Sequence, residues 1–207
     1  IRTDFNSTWP KIVKQLMDDE NFGRFFNKSG YGKNLLPVIL KGETAPEVQT
    51  LLIYNYVKKA LKWNEVYSKY TTATQVKNVF EKKSGNSADI NLSLLSLLKE
   101  AKISASPILI STRENGQHPG HPIISKFNNV IVQVEIGDKK LLLDASDRYL
   151  TENLLDFQNL SYEGFKINTK DIIGEWVSVE ATVPSRSNAY YHLKLGEDNN
   201  LIGTMNL

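Results

Sequence analysis

The run Gly85-Asn86-Ser87-Ala88-Asp89-Ile90-Asn91-Leu92-Ser93-Leu94-Leu95-Ser96-Leu97-Leu98 decides the fold class. Asn86 suits an N-cap, and Asp89 three residues later makes an aspartate form of the capping box. The spacing predicts a helix over 87–101, with apolar residues on nearly every side, so this helix belongs in the centre of a domain rather than on its surface. Ser87 falls in its first turn, where unpaired backbone N–H groups and the helix dipole favour negative charge. A cysteine at that position would have its thiolate stabilised; a serine hydroxyl, with its far higher pKa, gains much less.

Downstream the period changes. Pro107 to Thr112 reads as a strand, and Arg113 to Ile124 as a polar loop bearing glycine and proline. A hairpin follows. Val130, Val132, Val134 and Ile136 alternate along one strand, Gly137-Asp138 makes a two-residue turn, and Leu141, Leu143 and Ala145 alternate on the return. That turn sets Ile136 opposite Lys139 and Glu135 opposite Lys140, a cross-strand charge pair. It also brings Asn129 and Asp144 to the open end of the hairpin as diagonal neighbours.

Upstream the chain reads as helical. Ser7 or Thr8 caps a helix with Pro10 in its first turn and Trp9, Ile12, Val13, Leu16 and Met17 at helical spacing. A second helix starts with Thr44 and Glu47 spaced as a capping box and Pro46 in the first turn, followed by a stripe of Val48, Leu52, Val57 and Leu61. A short helix is predicted over 75–83. Beyond Asp147 the pattern weakens: Trp176 to Val179 and Tyr190 to Leu195 read as strands, and Glu197 to Asn200 as a turn before Leu201 to Leu207.

The composition is that of a folded globular chain: 207 residues, 41% apolar and 23% charged. A formal charge of +2 is too small to argue for nucleic acid or a membrane surface. No apolar run reaches the ~18 residues of a membrane span. With no cysteine in the chain, disulfides, thiolate metal sites and cysteine catalysis are excluded. The chain starts at Ile1 without a signal-peptide pattern and reads as a processed or excised piece.

Taken together, the helix before Lys83, the G-N-S-A-D helix start, then P-I-L-I-S-T-R, S-K-F-N and L-L-L-D-A-S-D resemble the transglutaminase-like superfamily over roughly Pro46 to Asp147. The resemblance implies an α+β, papain-like fold: N-terminal helices, with a buried central helix packed on an antiparallel sheet. It also implies a cysteine–histidine–aspartate triad at the helix start, the start of one strand and the end of the next. Those positions here hold Ser87, Asn129 and Asp144, so two of the three working groups are absent. These motifs look especially like one branch, found in bacterial envelope-associated multidomain proteins, in which the domain lies between two β-rich domains and often carries the same kind of loss. That implies an extracytoplasmic location and flanking β-rich domains as partners. Residues 1–185 then form the transglutaminase-like domain, and 186–207 are either the start of a following β-rich domain or C-terminal strands of the same one.

The expectation is a non-catalytic domain acting as a structural module or as a binding module for a peptide, protein or glycan in the former cleft. Trp63, Asn86, Asp89, Asn128, His118 and His121 are the candidate cleft residues, with no metal and no cofactor. Ser87 could act only with a borrowed base, because Asn129 hydrogen-bonds but does not exchange a proton as imidazole does. His118 and His121 in the His118-Pro119-Gly120-His121 loop, or His192, are the available bases. Weak hydrolysis or acyl transfer through Ser87 and that loop is the alternative, and a spacer without a ligand-sized cleft is the third reading. Trp176, Tyr54, Tyr56, Tyr67 and Tyr70 either line a groove or fill the core, and Lys83 and Arg113 are expected beside the former site. On the sequence, Ser87→Cys with Asn129→His is expected to restore a reactive thiolate pair.

Overall fold

The computed structural model describes residues 8–28, 30–180, 188–198 and 200–206. Helices come first: α1 (Trp9–Asp18), α2 (Gly23–Asn27), α3 (Gly32–Leu40) and α4 (Pro46–Ala60). A short strand β1 (Lys62–Trp63), helix α5 (Val76–Lys82) and strand β2 (Ser84–Gly85) lead into the central helix α6 (Ser87–Glu100). Then come β3 (Ser104–Ile110), β4 (Asn129–Ile136), β5 (Lys139–Leu143), β6 (Glu163–Asn168) and β7 (Ile173–Ser178), which form one antiparallel sheet in the order β5-β4-β3-β6-β7. The fold is therefore α+β, helices first and sheet second.

Helix α6 is the hub, as its pattern predicts. Every residue from Ser87 to Leu98 is buried, with helices on one side and β3 and β4 on the other. The cap forms as read: Asp89 N–H donates to Asn86 Oδ1 at 2.7 Å, and Asn86 N–H to Asp89 Oδ2 at 3.0 Å. Gly85 is required here by close approach, since a Cβ on it would stand 2.8 Å from Asp89 Oδ2. Val130, Val132, Val134 and Leu143 join the main core with α6, while Ile131, Ile108 and Ile110 pack on the far face against Leu155 and Val179. Burial on both faces makes the middle of β4 apolar, with the buried Gln133 as the exception between Val130 and Val134.

The hairpin register is the predicted one, Ile136 against Lys139 and Glu135 against Lys140. The Glu135 carboxylate, however, bonds Lys166 Nζ at 2.6 Å from two strands away. Lys166 also meets Glu175 at 3.1 Å, and its nearly buried ammonium draws Glu135 from Lys140. Strand β3 begins three residues earlier than the pattern indicates and keeps Pro107 inside it. The β6 ladder covers only Ile108 and Leu109, so proline's missing N–H costs no bond on that side.

Three helix expectations are corrected. Thr8 stands at the N-cap of α1 without a side-chain cap bond, and Ser7 lies outside the described residues. The cap of α4 is Ala45, not Thr44: Glu43 Oε1 accepts from the Thr44 and Ala45 N–H groups, doing the work assigned to a Thr44–Glu47 box. The buried face of α4 is Ile53, Tyr54 and Val57, while Val48 and Leu52 are 42% and 37% exposed. A stripe of four apolar residues is outranked here by tyrosine, whose hydroxyl finds a buried partner. Helices α2 and α3 carry no motif that singles them out, and α3 holds Pro37 in its interior.

Strands β8 (Tyr190–Leu195) and β9 (Leu201–Asn206) pair with each other in a separate two-stranded sheet. Leu207 lies outside the described residues. The register sets Tyr191 against Met205 and Leu195 against Leu201, with Leu193 between, so one face is apolar and exposed. His192 pairs with Thr204 on the other face. No helix among the described residues is long and apolar enough to cross a membrane.

Candidate functional site

Ser87 opens α6 and is fully buried. Its Oγ accepts the Ser68 N–H at 2.9 Å and donates to the Ser68 carbonyl at 3.1 Å, while its own N–H bonds the Val66 carbonyl at 3.0 Å. Three bonds thus tie the first residue of α6 to segment 66–68, which lies across the helix start like an added strand. Trp63 anchors that segment through Nε1–H to the Val66 carbonyl at 3.0 Å and a tilted contact with the Tyr67 ring, and Tyr67 Oη reaches Asp156 Oδ2 at 3.2 Å. Burial first, and then the Asp156 charge, push the Tyr67 phenol well above its ordinary range. Lys69 Nζ donates to the Phe127 carbonyl at 2.8 Å, and its partial burial lowers its pKa.

Asn86 and Asp89 face the same segment. Asn86 Nδ2 donates to the Tyr70 carbonyl at 3.0 Å. Asp89 accepts from Thr72 N–H at 2.9 Å, Thr72 Oγ1 at 2.8 Å and Ala73 N–H at 3.2 Å in addition to its cap bond. Asp89 is therefore a knot holding the incoming loop to the helix, with its acceptor capacity filled, and no lone pair is left for general base work.

Asn129 begins β4 and Asp144 follows the end of β5, so both stand at the open end of the hairpin. They meet through a third residue. Asn129 Nδ2 donates to Asn159 Oδ1 at 2.7 Å, and Asn159 Nδ2 to Asp144 Oδ2 at 2.8 Å. Asp144 Oδ1 accepts from Asn91 Nδ2 at 2.9 Å and from Ser146 N–H and Oγ at 2.9 and 2.6 Å. Asn91 Oδ1 in turn takes the Ala145 N–H at 2.8 Å, and its Nδ2 also reaches the Val130 carbonyl. Tyr54 Oη adds a bond to the Asp144 carbonyl at 3.0 Å. Asp144 is fully enclosed, and burial raises its pKa against the opposite pull of Ser146 and Asn91. Asn129 Oδ1 is buried with no partner among the described residues.

Ser87, Asn129 and Asp144 thus stand at the helix start, the strand start and the strand end as the sequence predicts, but Ser87 makes no hydrogen bond to Asn129 or Asp144. With exposures of 0%, 0% and 1%, Ser87, Asn129 and Asp144 are closed to solvent. Asn159 and Ser68, which complete these contacts, carry no sequence signal; Asn91 does, as an amide inside an otherwise apolar helix that must find partners.

The remaining candidates lie elsewhere. Asn128 ties Thr112 to itself, accepting its N–H and donating to its hydroxyl, each at 2.8 Å. Arg113 lies over Phe157 and Tyr162 with Nε on the Leu160 carbonyl, and Lys83 is the left-handed C-cap of α5. His118 is stacked on Phe127 at 4.3 Å between Trp9 and Trp176; its Nδ1 accepts the Gly120 N–H at 3.1 Å, and its Nε2 lies 3.0 Å from the Ile123 carbonyl. That pairing fixes a neutral ring with the proton on Nε2. His121 is exposed. Tyr56 stacks on Phe80, and Tyr70 lies edge-on to Phe22, so these aromatics are core.

Burial, with smaller contributions from His121 and Lys126, lowers the His118 pKa from 6.5 against the pull of the Ile123 carbonyl. A base with a depressed folded pKa contributes stability above its unfolded value and loses it as pH falls through the folded one. His118→Phe, which keeps the stack, is expected to remove part of the stability loss seen below the ordinary value of 6.5. Urea midpoints followed down the acid limb, wild type against variant, measure it.

The fold is of the papain-like class, with a buried helix whose start faces the open end of an antiparallel hairpin. One known structure agrees at the level of fold. A crystal structure of a "putative protease" from Parabacteroides distasonis ATCC 8503 matches 86% of this chain at 12% identity with a TM-score of 0.59, and the matched part is 32% of that protein. A "putative cysteine protease" from Cytophaga hutchinsonii matches 69% of this chain and 40% of its own at 12% identity, with a TM-score of 0.41. The chain thus spans about a third of the length of the first of these and less than half of the second. At such identity the likeness is one of fold. No protein-family model matches the sequence, and no curated protein matches it.

Proposed function

We propose that this chain is a catalytically inert transglutaminase-like domain, a structural module of a larger bacterial envelope protein in which the papain-like frame survives as scaffold. One observation carries the reading: both hydrogen bonds of the Ser87 hydroxyl go to the Ser68 backbone, in a site closed to solvent. A nucleophilic serine needs a base within hydrogen-bond reach, about 2.6–3.2 Å or one water away. The group that would supply it in the family is Asn129 here, and Asn129 is turned to Asn159. The former cleft is filled by segment 66–70, which favours the structural role over ligand binding at the frame. The exposed apolar face of β8–β9 supports a following β-rich layer and a domain division near residue 185, and the envelope location rests on the family likeness alone.

The contrasting reading, hydrolysis through Ser87 with a base from the His118/His121 loop, requires either His118 to leave its stack on Phe127 and both of its backbone bonds, or the exposed His121 to reach a Ser87 closed to solvent. A fluorophosphonate probe separates the two. Between pH ~6 and ~9 no adduct is expected on Ser87, and none that depends on His118 or His121. An adduct on Ser87 that disappears in the His118→Ala, His121→Ala double variant would establish the hydrolase.

A further inference from the structure

Away from the frame, an open cavity of about 820 Å³ lies among α2, the start of α3 and the start of α5. This is the size of a small-ligand site. Phe25 and Val76 from the core, with Leu35, give it an apolar floor. Arg24, Lys28 and Lys77 stand on its wall against a single acid, Glu20. Two of these cations have only loose, exposed partners: Arg24 in α2 lies 3.8 Å from Glu20 in the turn before it, and Lys77 lies 3.5 Å from Glu81 one turn on in α5. Such pairs contribute ~0–1 kcal/mol and are readily exchanged. Lys28 has no acidic partner among the described residues. The side chains of Asn34, Thr74 and Gln75 also line the cavity and make no hydrogen bond among those residues.

We propose that this cavity binds a short peptide bearing a carboxylate. Each free primary amide offers one acceptor and two donors, the complement of a peptide's N–H and C=O groups. Lys28, with the loosely paired Arg24 and Lys77, selects a carboxylate, and the apolar floor takes a neighbouring aliphatic side chain. The carboxylate can come from an acidic side chain or from a free C-terminus. The site shares no residue with the Ser87 frame, and it stands whether or not that frame is inert.

Amide-resolved NMR titration of the 15N-labelled chain tests this with three N-acetylated leucine-containing tetrapeptides. One has glutamate and an amidated end, one has glutamine and a free end, and one has glutamine and an amidated end. At least one carboxylate probe is expected to shift the amides of Asn34, Gln75 and Lys77 and to bind about tenfold more tightly than the uncharged probe, the equivalent of ~1.4 kcal/mol. Which of the two binds identifies the source of the carboxylate. Arg24→Glu with Lys28→Glu should abolish the shifts while the thermal midpoint stays within a few degrees, both side chains being exposed. Absence of shifts at millimolar probe, equal binding of the uncharged probe, or shifts confined to another surface would overturn the proposal. So would trigalacturonate moving these amides when no peptide does, since the site would then take an acidic sugar.

Discussion

Asp144→Ala is expected to destabilise the fold by about 3–5 kcal/mol, the cost of stranding several buried donors at once. The Asn159 amide, both Ser146 donors and one bond of Asn91 all end on this carboxylate. Asp144→Asn should cost far less, about 1 kcal/mol, because an amide keeps one acceptor for Asn91 and Ser146. Its new NH2 group can be met by turning the Asn159 amide, and a matching turn of Asn129 then presents Oδ1 to the displaced Asn159 NH2, in place of the bond that Asn129 Nδ2 makes in the wild type. Chemical denaturation of the two variants measures the gap. Equal costs would show that the carboxylate is held by shape rather than by its donors.

The same residue sets a pH dependence. Burial holds the Asp144 pKa above its ordinary 3.8. A carboxyl raised in the folded state stabilises the fold fully below its unfolded value and loses that contribution as pH rises through the folded one. The stability deficit of Asp144→Asn relative to wild type should therefore shrink as pH rises from 3.8. A deficit that grows over that range would reverse the assignment and make the ionised form the favoured one.

The second large effect concerns the double variant Ser87→Cys, Asn129→His. From the sequence alone this pair restores a reactive thiolate. The tertiary structure reverses that expectation, because residue 87 is closed to solvent under segment 66–68 and residue 129 is packed against Asn159. A reagent reaches the thiol only when the segment lifts. If lifting costs ~3 kcal/mol, iodoacetamide should react at least about 100-fold more slowly than with an exposed thiol. The larger imidazole also overfills a buried site, at about 1–3 kcal/mol. Rapid alkylation with a thiol pKa below the ordinary ~8.5 would show an open frame and would count against the inert reading.

Local chemistry made much of the architecture legible. The cap of α6 follows from Asn86 and Asp89, neighbours whose bonds need nothing distant. The hairpin register follows from a two-residue turn, and the burial of α6 from leucines spread around its circumference. Local signals fail where a distant group competes. Glu135 leaves its cross-strand lysine for Lys166, and the Thr44–Glu47 box gives way to Glu43, which takes the Thr44 and Ala45 N–H groups just before α4. The buried stripe of α4 shifts to Tyr54, whose hydroxyl bonds a carbonyl 90 residues away. For function, the sequence by itself determined that no cysteine thiol exists and that positions 87 and 129 hold a serine and an asparagine, since residue identity alone settles that. Only the tertiary structure decided what these side chains meet: Ser68 folded back over Ser87 from one side, Asn159 joining Asn129 to Asp144 from the other. Those contacts join residues 19, 30 and 15 positions apart. They exist because buried polar groups must pair with whatever the packed chain brings within reach.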